Sequence, residues 1–213
     1  HLCYCFTPMR YAWLFYEEYF GANYLKKKTL QPMLQNLREW DRVASERVTR
    51  FVALSRHVQK RIEEFYGREA DVVYPPVQTA FWTPEAGIAG ASARPGRELG
   101  GYDLIVSALV PYKKIDLAVR AYAQYGYPLK IVGTGTEYRR LRALAGEQTE
   151  FLGHLDDGAI RDLYRRCRML IFPGEEDFGI VPVEVQACGR PVVAFGRGGT
   201  LETVVANKSG VFF

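Results

Sequence analysis

Histidine and cysteine are scarce in this 213-residue chain: three histidines, and four cysteines at positions 3, 5, 167 and 188 that nowhere take the CxxC spacing of a structural zinc site. No metal is therefore expected, and free thiols in a reducing compartment are expected in place of a disulfide framework. Cys3 and Cys5 share one face of a strand, where small buried side chains are a plainer reading than a metal pair. His57 and His154 stand alone and read as surface or packing residues. Long apolar runs are missing too: nothing approaches the ~18 residues of a membrane span, and nothing at the start reads as a signal peptide. A large charge excess is absent, and a net +4 with no basic patch interleaved with aromatics argues against nucleic acid as a partner. There is no Walker loop. The loop "VGTGTE" carries Gly133 and Gly135, but Tyr138 stands where GxGxxG needs its third glycine, which argues against NAD. A tight turn and a looser nucleotide contact remain equal alternatives for that loop.

What is present is an ordinary globular composition, 48% hydrophobic and 24% charged. The chain begins on His1, enters an apolar segment at once and ends on "SGVFF", the pattern of a core strand, so a piece of a longer protein is expected. "HLCYCF", "RFVALS" and "DVVYPPV" read as strands, with a helical pattern from Tyr11 to about Arg50 that Gly21 and Pro32 should break. Residues 78–101, rich in Ala, Gly and Pro, read as a linker. From there to the end, continuous apolar strands alternate with amphipathic helices, as a parallel sheet covered on both faces requires. The expectation is an α/β doubly wound domain from residue 99, whose ligands lie beyond the carboxyl ends of the strands.

The stretch "EEDFGIVPVE" carries the most chemistry. Pro182 is tolerated only in a first helical turn, which puts the helix start near Ile180. Backbone N–H groups at Gly179, Ile180 and Val181, at the positive end of that helix, suit a phosphate. Glu176 then lies ahead of the phosphate site and Glu184 behind it, on the order of 10 Å apart. That is too wide for a retaining glycosidase pair at ~5 Å. Carboxylates so placed suit vicinal hydroxyls on either side of a diphosphate, a sugar at one end and a ribose at the other. The plain alternatives are a solvated Glu176 and a Glu184 that only complements the helix. In "SALVPYKKIDLAV", Lys113 and Lys114 fall at a helix start, where cations oppose the dipole unless an anionic ligand shares the cleft. Lysines in one loop and a helix N-terminus in another would clamp a diphosphate leaving group.

With those residues assembled, the chain resembles the retaining glycosyltransferases of family 4, in particular the bacterial mannosyltransferase-like branch. The likeness runs through "CYCFTPMRYAW", "FVALSRHVQKRI", "VVYPPV", "SALVPYKKIDLAV", "IVGTGTEYRRL", "FLGHLDD", "PGEEDFGIVPVEVQACGRPVVAFGRGG" and "ETVVANKSGVFF". The resemblance implies a GT-B fold of two Rossmann-like domains facing a cleft, both incomplete here. Residues 1–98 would be the later part of the acceptor-side domain plus linker, and residues 99–213 the donor domain. It further implies that Glu176 meets the donor sugar, Glu184 the ribose, the main chain at Phe178, Gly179 and Ile180 the sugar and diphosphate, Lys113 the phosphates, and the backbone near Leu155 the base. No metal or other cofactor is implied. The donor is expected to be GDP-mannose and the acceptor a hydroxyl of a growing polysaccharide or lipid-linked glycan. The expected location is the cytoplasm, with "YLKKKTL" (residues 24–30) touching the inner face of the plasma membrane or simply solvated. Two departures stand out: Ser107-Ala108 replaces the family's common Gly-Arg, which leaves more of the phosphate grip to Lys113, and Phe6 replaces a common histidine. They give weight to an alternative, a sugar-nucleotide-binding domain without turnover; an epimerase of the same fold is a third reading.

Overall fold

The computed structural model describes residues 1–14, 24–85 and 101–213, and the side chains of residues 24–27 lie outside that description. The chain divides into two compact units, His1–Pro75 and Pro76–Phe213. Gly21 and residues 86–100 of the expected linker fall outside the described residues, as do the side chains of Lys26 and Lys27.

In the first unit, β1 (Leu2–Cys5), β2 (Arg50–Ala53) and β3 (Ala70–Val72) form a parallel sheet in the order β1-β2-β3. The helices are α1 (Arg10–Trp13), α2 (Tyr24–Glu46) and α3 (Arg56–Tyr66). Ser55 caps α3 by accepting from the Val58 N–H at 3.0 Å, and Gly67 ends it at φ 64°, a left-handed conformation open to glycine at little cost. Pro32 does not break the helical pattern, contrary to expectation: it lies inside α2. The lost backbone hydrogen bond, a cost of about 3 kcal/mol, is offset downstream by tertiary contacts. Leu34 is buried, Arg38 donates to the Ala12 carbonyl at 2.6 Å, and Asp41 accepts from the Trp13 indole at 2.7 Å and the Tyr66 hydroxyl at 2.8 Å.

The second unit is a six-stranded parallel sheet: β4 (Asp103–Val106), β5 (Leu129–Val132), β6 (Thr149–Gly153), β7 (Leu170–Phe172), β8 (Val192–Ala194) and β9 (Gly210–Phe212). Its connections are α4 (Ile115–Tyr125), α5 (Tyr138–Leu144), α6 (Asp157–Arg166), α7 (Ile180–Ala187) and α8 (Thr200–Thr203). Both faces are buried, and period-two alternation divides the strand residues between them. Leu104, Leu170, Phe172, Val192 and Ala194 pack in one cluster; Ile105, Ile131 and Ile171 pack in the other. The expected α/β alternation from "DLIVSAL" onward is therefore observed element by element.

Residues 76–85 do not behave as a free linker. They group with the second unit, where Trp82 is buried in its core and Arg165 of α6 donates to the carbonyl and hydroxyl of Thr83 at 2.8 and 2.9 Å. Aromatic residues at 81 and 82 bury enough apolar area to outweigh the ordering cost that Gly and Pro nearby suggest would prevail.

Candidate active site

The strand order β6-β5-β4-β7-β8-β9 reverses between β4 and β7, which are hydrogen-bonded neighbours although three strands apart in number. In doubly wound sheets the crevice for ligands opens at the carboxyl ends of such a pair. The loop after β4 contains a 3₁₀ turn, Pro111–Lys113, and the loop after β7 contains Gly174 and Glu176. They meet closely: a Cβ on Gly174 would lie 2.9 Å from both the Cα and the carbonyl oxygen of Lys113. Across this approach the Lys113 ammonium pairs with Glu176 Oε1, and the two side chains are only 18% and 13% exposed. The structure thus joins the lysine and the first glutamate, 63 positions apart in sequence by subtraction of their numbers.

Lys113 and Lys114 immediately precede α4, at its positive end, so the expected opposition between cation and helix dipole is present. Lys113 ends the 3₁₀ turn, Lys114 is the N-cap at φ 52°, and the first turn of α4 holds Asp116, which suits the dipole and accepts from Arg140 at 3.1 Å. A lysine in the left-handed region costs on the order of 1 kcal/mol, and it turns the chain sharply from one helix into the other.

The α7 start coincides with the expected one. Gly179 is its N-cap at φ 84°, with no side-chain cap, and Pro182 is buried in the first turn. A residue with a Cβ is strained at that φ, and the first-turn N–H groups are not spent on a capping side chain. Ile180 is 43% exposed at the helix mouth. Main-chain contacts brace the loop between Glu176 and Gly179. Glu176 bridges Gly198, the Gly199 N–H donates to the Glu176 carbonyl at 2.7 Å, and a Cβ on Gly199 would collide with Phe178 Cα. The fully buried Thr200 closes this brace by donating to the carbonyls of Phe195 and Arg197, at 2.9 and 2.8 Å.

Glu184 projects from α7 toward α6, where the Tyr164 hydroxyl donates to its Oε2 at 3.2 Å. Burial pushes the Glu184 carboxyl above the usual carboxylate range; the Tyr164 hydrogen bond lowers it and nearby Asp157 raises it further. Leu155, two residues beyond β6, packs partly buried against the cluster that contains Tyr164. Ser107 and Ala108 lie where the loop after β4 begins, and Gly133 and Gly135 press against that loop: a Cβ on either would overlap the carbonyl of Ser107 or Leu109. Close packing of two loops therefore accounts for both glycines. Phe6 belongs to the first unit, 62% exposed beside Tyr4.

Tyr164, Trp82 and the Gly198–Thr200 brace went unnoticed in the sequence. "GRGGT" between a strand and a helix carried a signal, three glycines beyond a strand's carboxyl end; Tyr164 carried none, being one aromatic on an amphipathic helix. Two concavities of 470 and 360 Å³ open elsewhere, at the amino ends of the strands around Leu129 and Thr149 and around Asp103, and neither contains Lys113, Glu176 or Glu184. Among the described residues no group of three His, Cys, Asp or Glu side chains could hold a metal ion, and no helix is long and apolar enough to cross a membrane.

Comparison with known proteins follows the same residues. The family model described as glycosyl transferases group 1 matches residues 101–213. The D-inositol 3-phosphate glycosyltransferase of Acidothermus cellulolyticus is 36% identical over 180 residues, covering 71% of this chain and 39% of the relative. The alpha-1,3/1,6-mannosyltransferase alg-2 of Neurospora crassa is 35% identical over 114 residues, 52% of this chain and 23% of the relative. Among solved structures, Anabaena HepE in complex with UDP and glucose superposes with a TM-score of 0.71 at 22% identity, over 84% of this chain and 53% of HepE, a likeness that shows the α/β fold of the GT-B type. The chain spans well under two thirds of the length of these relatives. A family match over more than half of the residues, on the unit that joins Lys113 to Glu176, places this chain in the glycosyl transferases group 1 family.

Proposed function

We propose that the protein is a retaining glycosyltransferase that moves a hexose from a nucleoside diphosphate sugar to an acceptor hydroxyl, and that the second unit holds the donor. The observation that carries this reading is the Lys113–Glu176 pair at the β4/β7 switch point, beside an uncapped helix N-terminus. Without a ligand the two charges neutralise each other. A bound donor exchanges partners: Lys113 and the amides at Gly179 and Ile180 take the diphosphate, Phe178 lines the sugar, and Glu176 is released to accept sugar hydroxyls. Glu184 accepts the ribose hydroxyls, and the backbone near Leu155 meets the base. The C1–O bond to the diphosphate breaks, the acceptor oxygen bonds to C1 on the same face, and the acceptor proton leaves to the departing phosphate. The cation and the amides act by stabilising the charge that develops on the leaving group. No cofactor enters the scheme.

Mannose from GDP-mannose is the donor we favour, supported by the 35% identity to alg-2. A UDP-sugar is the second reading, supported by the UDP and glucose held by HepE. The acceptor we propose is a glycan or a lipid-linked glycan, with the lysine-bearing start of α2 near an anionic membrane. Transfer assays on the complete protein with GDP-mannose and UDP-glucose decide between the donors, and NMR of the product reads the anomeric configuration. Retention is expected. Inversion would remove the mechanism, and tight nucleotide binding with no transfer to any glycan acceptor would favour the binding-only alternative.

A further inference from the structure

We infer that Tyr164 is a positioning residue for the nucleotide: its hydroxyl holds the Glu184 carboxylate in the orientation that accepts the ribose. This rests on the reading of Glu184 as the ribose ligand. Three observations carry it. Tyr164 is completely buried, yet its hydroxyl donates to Oε2 of Glu184 on the neighbouring helix at 3.2 Å. Its ring is itself fixed, packed against Trp82 at 5.4 Å between centroids, while Trp82 lies against Phe81 at 4.8 Å. The segment bearing those rings is tied back to α6 by Arg165, which donates to Thr83, and by Arg161, whose guanidinium lies 4.4 Å over the Phe81 ring. A carboxylate on a helix has several rotamers; a donor locked in the core selects one and leaves the other oxygen for a ligand.

The groups that act on the carboxylate are few. Tyr164 and Asp157 come from α6, Cys188 follows α7, and the charged residue of α8 is Glu202; β7 and β8 are made of apolar residues only. Tyr164 is thus the group that favours the ionised carboxylate, against burial and Asp157, which both oppose it. Removing the hydroxyl both frees the rotamer and makes the carboxylate harder to ionise.

The test is calorimetric titration of the complete protein with UDP, GDP and inorganic pyrophosphate, comparing wild type, Tyr164→Phe, Glu184→Ala and the double variant. Phenylalanine keeps the ring against Trp82, and the melting temperature of each variant is measured alongside. For the nucleotide that wild type binds, Tyr164→Phe is expected to weaken affinity about tenfold, the scale of one hydrogen bond to a charged group. Pyrophosphate, which lacks a ribose, is expected to bind unchanged. The acid limb of nucleotide binding should move to higher pH in Tyr164→Phe, because the carboxylate protonates sooner. On the Glu184→Ala background, Tyr164→Phe should add nothing. Equal losses for nucleotide and pyrophosphate, an additive double variant, or no loss at all while Glu184→Ala weakens binding would each overturn the inference. Intact nucleotide binding in Glu184→Ala would instead overturn the ribose reading on which it stands.

Discussion

Lys113 and Glu176 are the residues at which the proposed chemistry and the stability of this protein meet. Both side chains are largely withdrawn from water, so removing one partner leaves an uncompensated charge. Lys113→Ala is expected to lower stability by about 1–3 kcal/mol and kcat on the order of 10²-fold. The double variant Lys113→Met with Glu176→Gln should regain much of the stability in a denaturant titration while remaining inactive, which separates the two effects. Glu184 makes an opposite contribution. Its carboxyl sits above the unfolded value because of burial, so the native state disfavours ionisation, and stability is lost as pH rises through the folded value. Glu184→Gln removes that loss. The variant should melt higher than wild type at pH 8, and the difference should vanish below the ordinary glutamate value of ~4.3, where the carboxyl is protonated in both states. A stabilising substitution at a site residue would mark the glutamate as kept for binding rather than for folding.

At the scale of elements, glycines decide how near the loops come. Gly174 lets the loop after β7 touch the backbone of Lys113, and a methyl group there meets that main chain rather than a movable side-chain tip. Gly174→Ala is therefore expected to push the two loops apart and to weaken pyrophosphate binding by about tenfold or more, even though position 174 carries no functional group. Titration calorimetry checks it, with circular dichroism to confirm that the sheet survives. The alternation of strands and helices in the second unit was legible because both sheet faces are buried, making each strand a run of apolar residues that no helix pattern imitates. Pro32 was misread for a reason the local pattern cannot contain: α2 survives it through contacts to Ala12, Trp13 and Tyr66, far away in sequence. Trp82 likewise looked like part of a linker because its partner, Tyr164, comes 82 positions later.

Over the whole molecule, the buried thiols report on both units. Cys5 is buried in the first unit, and Cys167 and Cys188 in the second, where desolvation pushes their thiols up to about 12 and about 11. At pH 8 almost none of either is thiolate, so an aromatic disulfide reagent should label the native protein chiefly at Cys3, which is partly exposed, and reach the others only as each unit opens. Rapid labelling of Cys167 in the native state would contradict the packing of α6 on the sheet. Site-resolved labelling against denaturant concentration would also show whether the two units unfold together or in sequence.

By itself the sequence determined the class of the second unit, the start of α7 and the candidate acidic pair, because apolar periodicity, a proline tolerated only in a first turn and a glycine before it are local signals. Only the tertiary structure decided that Lys113 and Glu176 face one another, that the "GRGGT" loop braces Glu176, and that the Tyr164 hydroxyl meets Glu184. Those contacts come from the strand order, which sets β4 beside β7, and from two neighbouring helices laid on the same sheet face. A parallel sheet joins residues through its crossovers, and their proximity in space is not written at any one position of the chain.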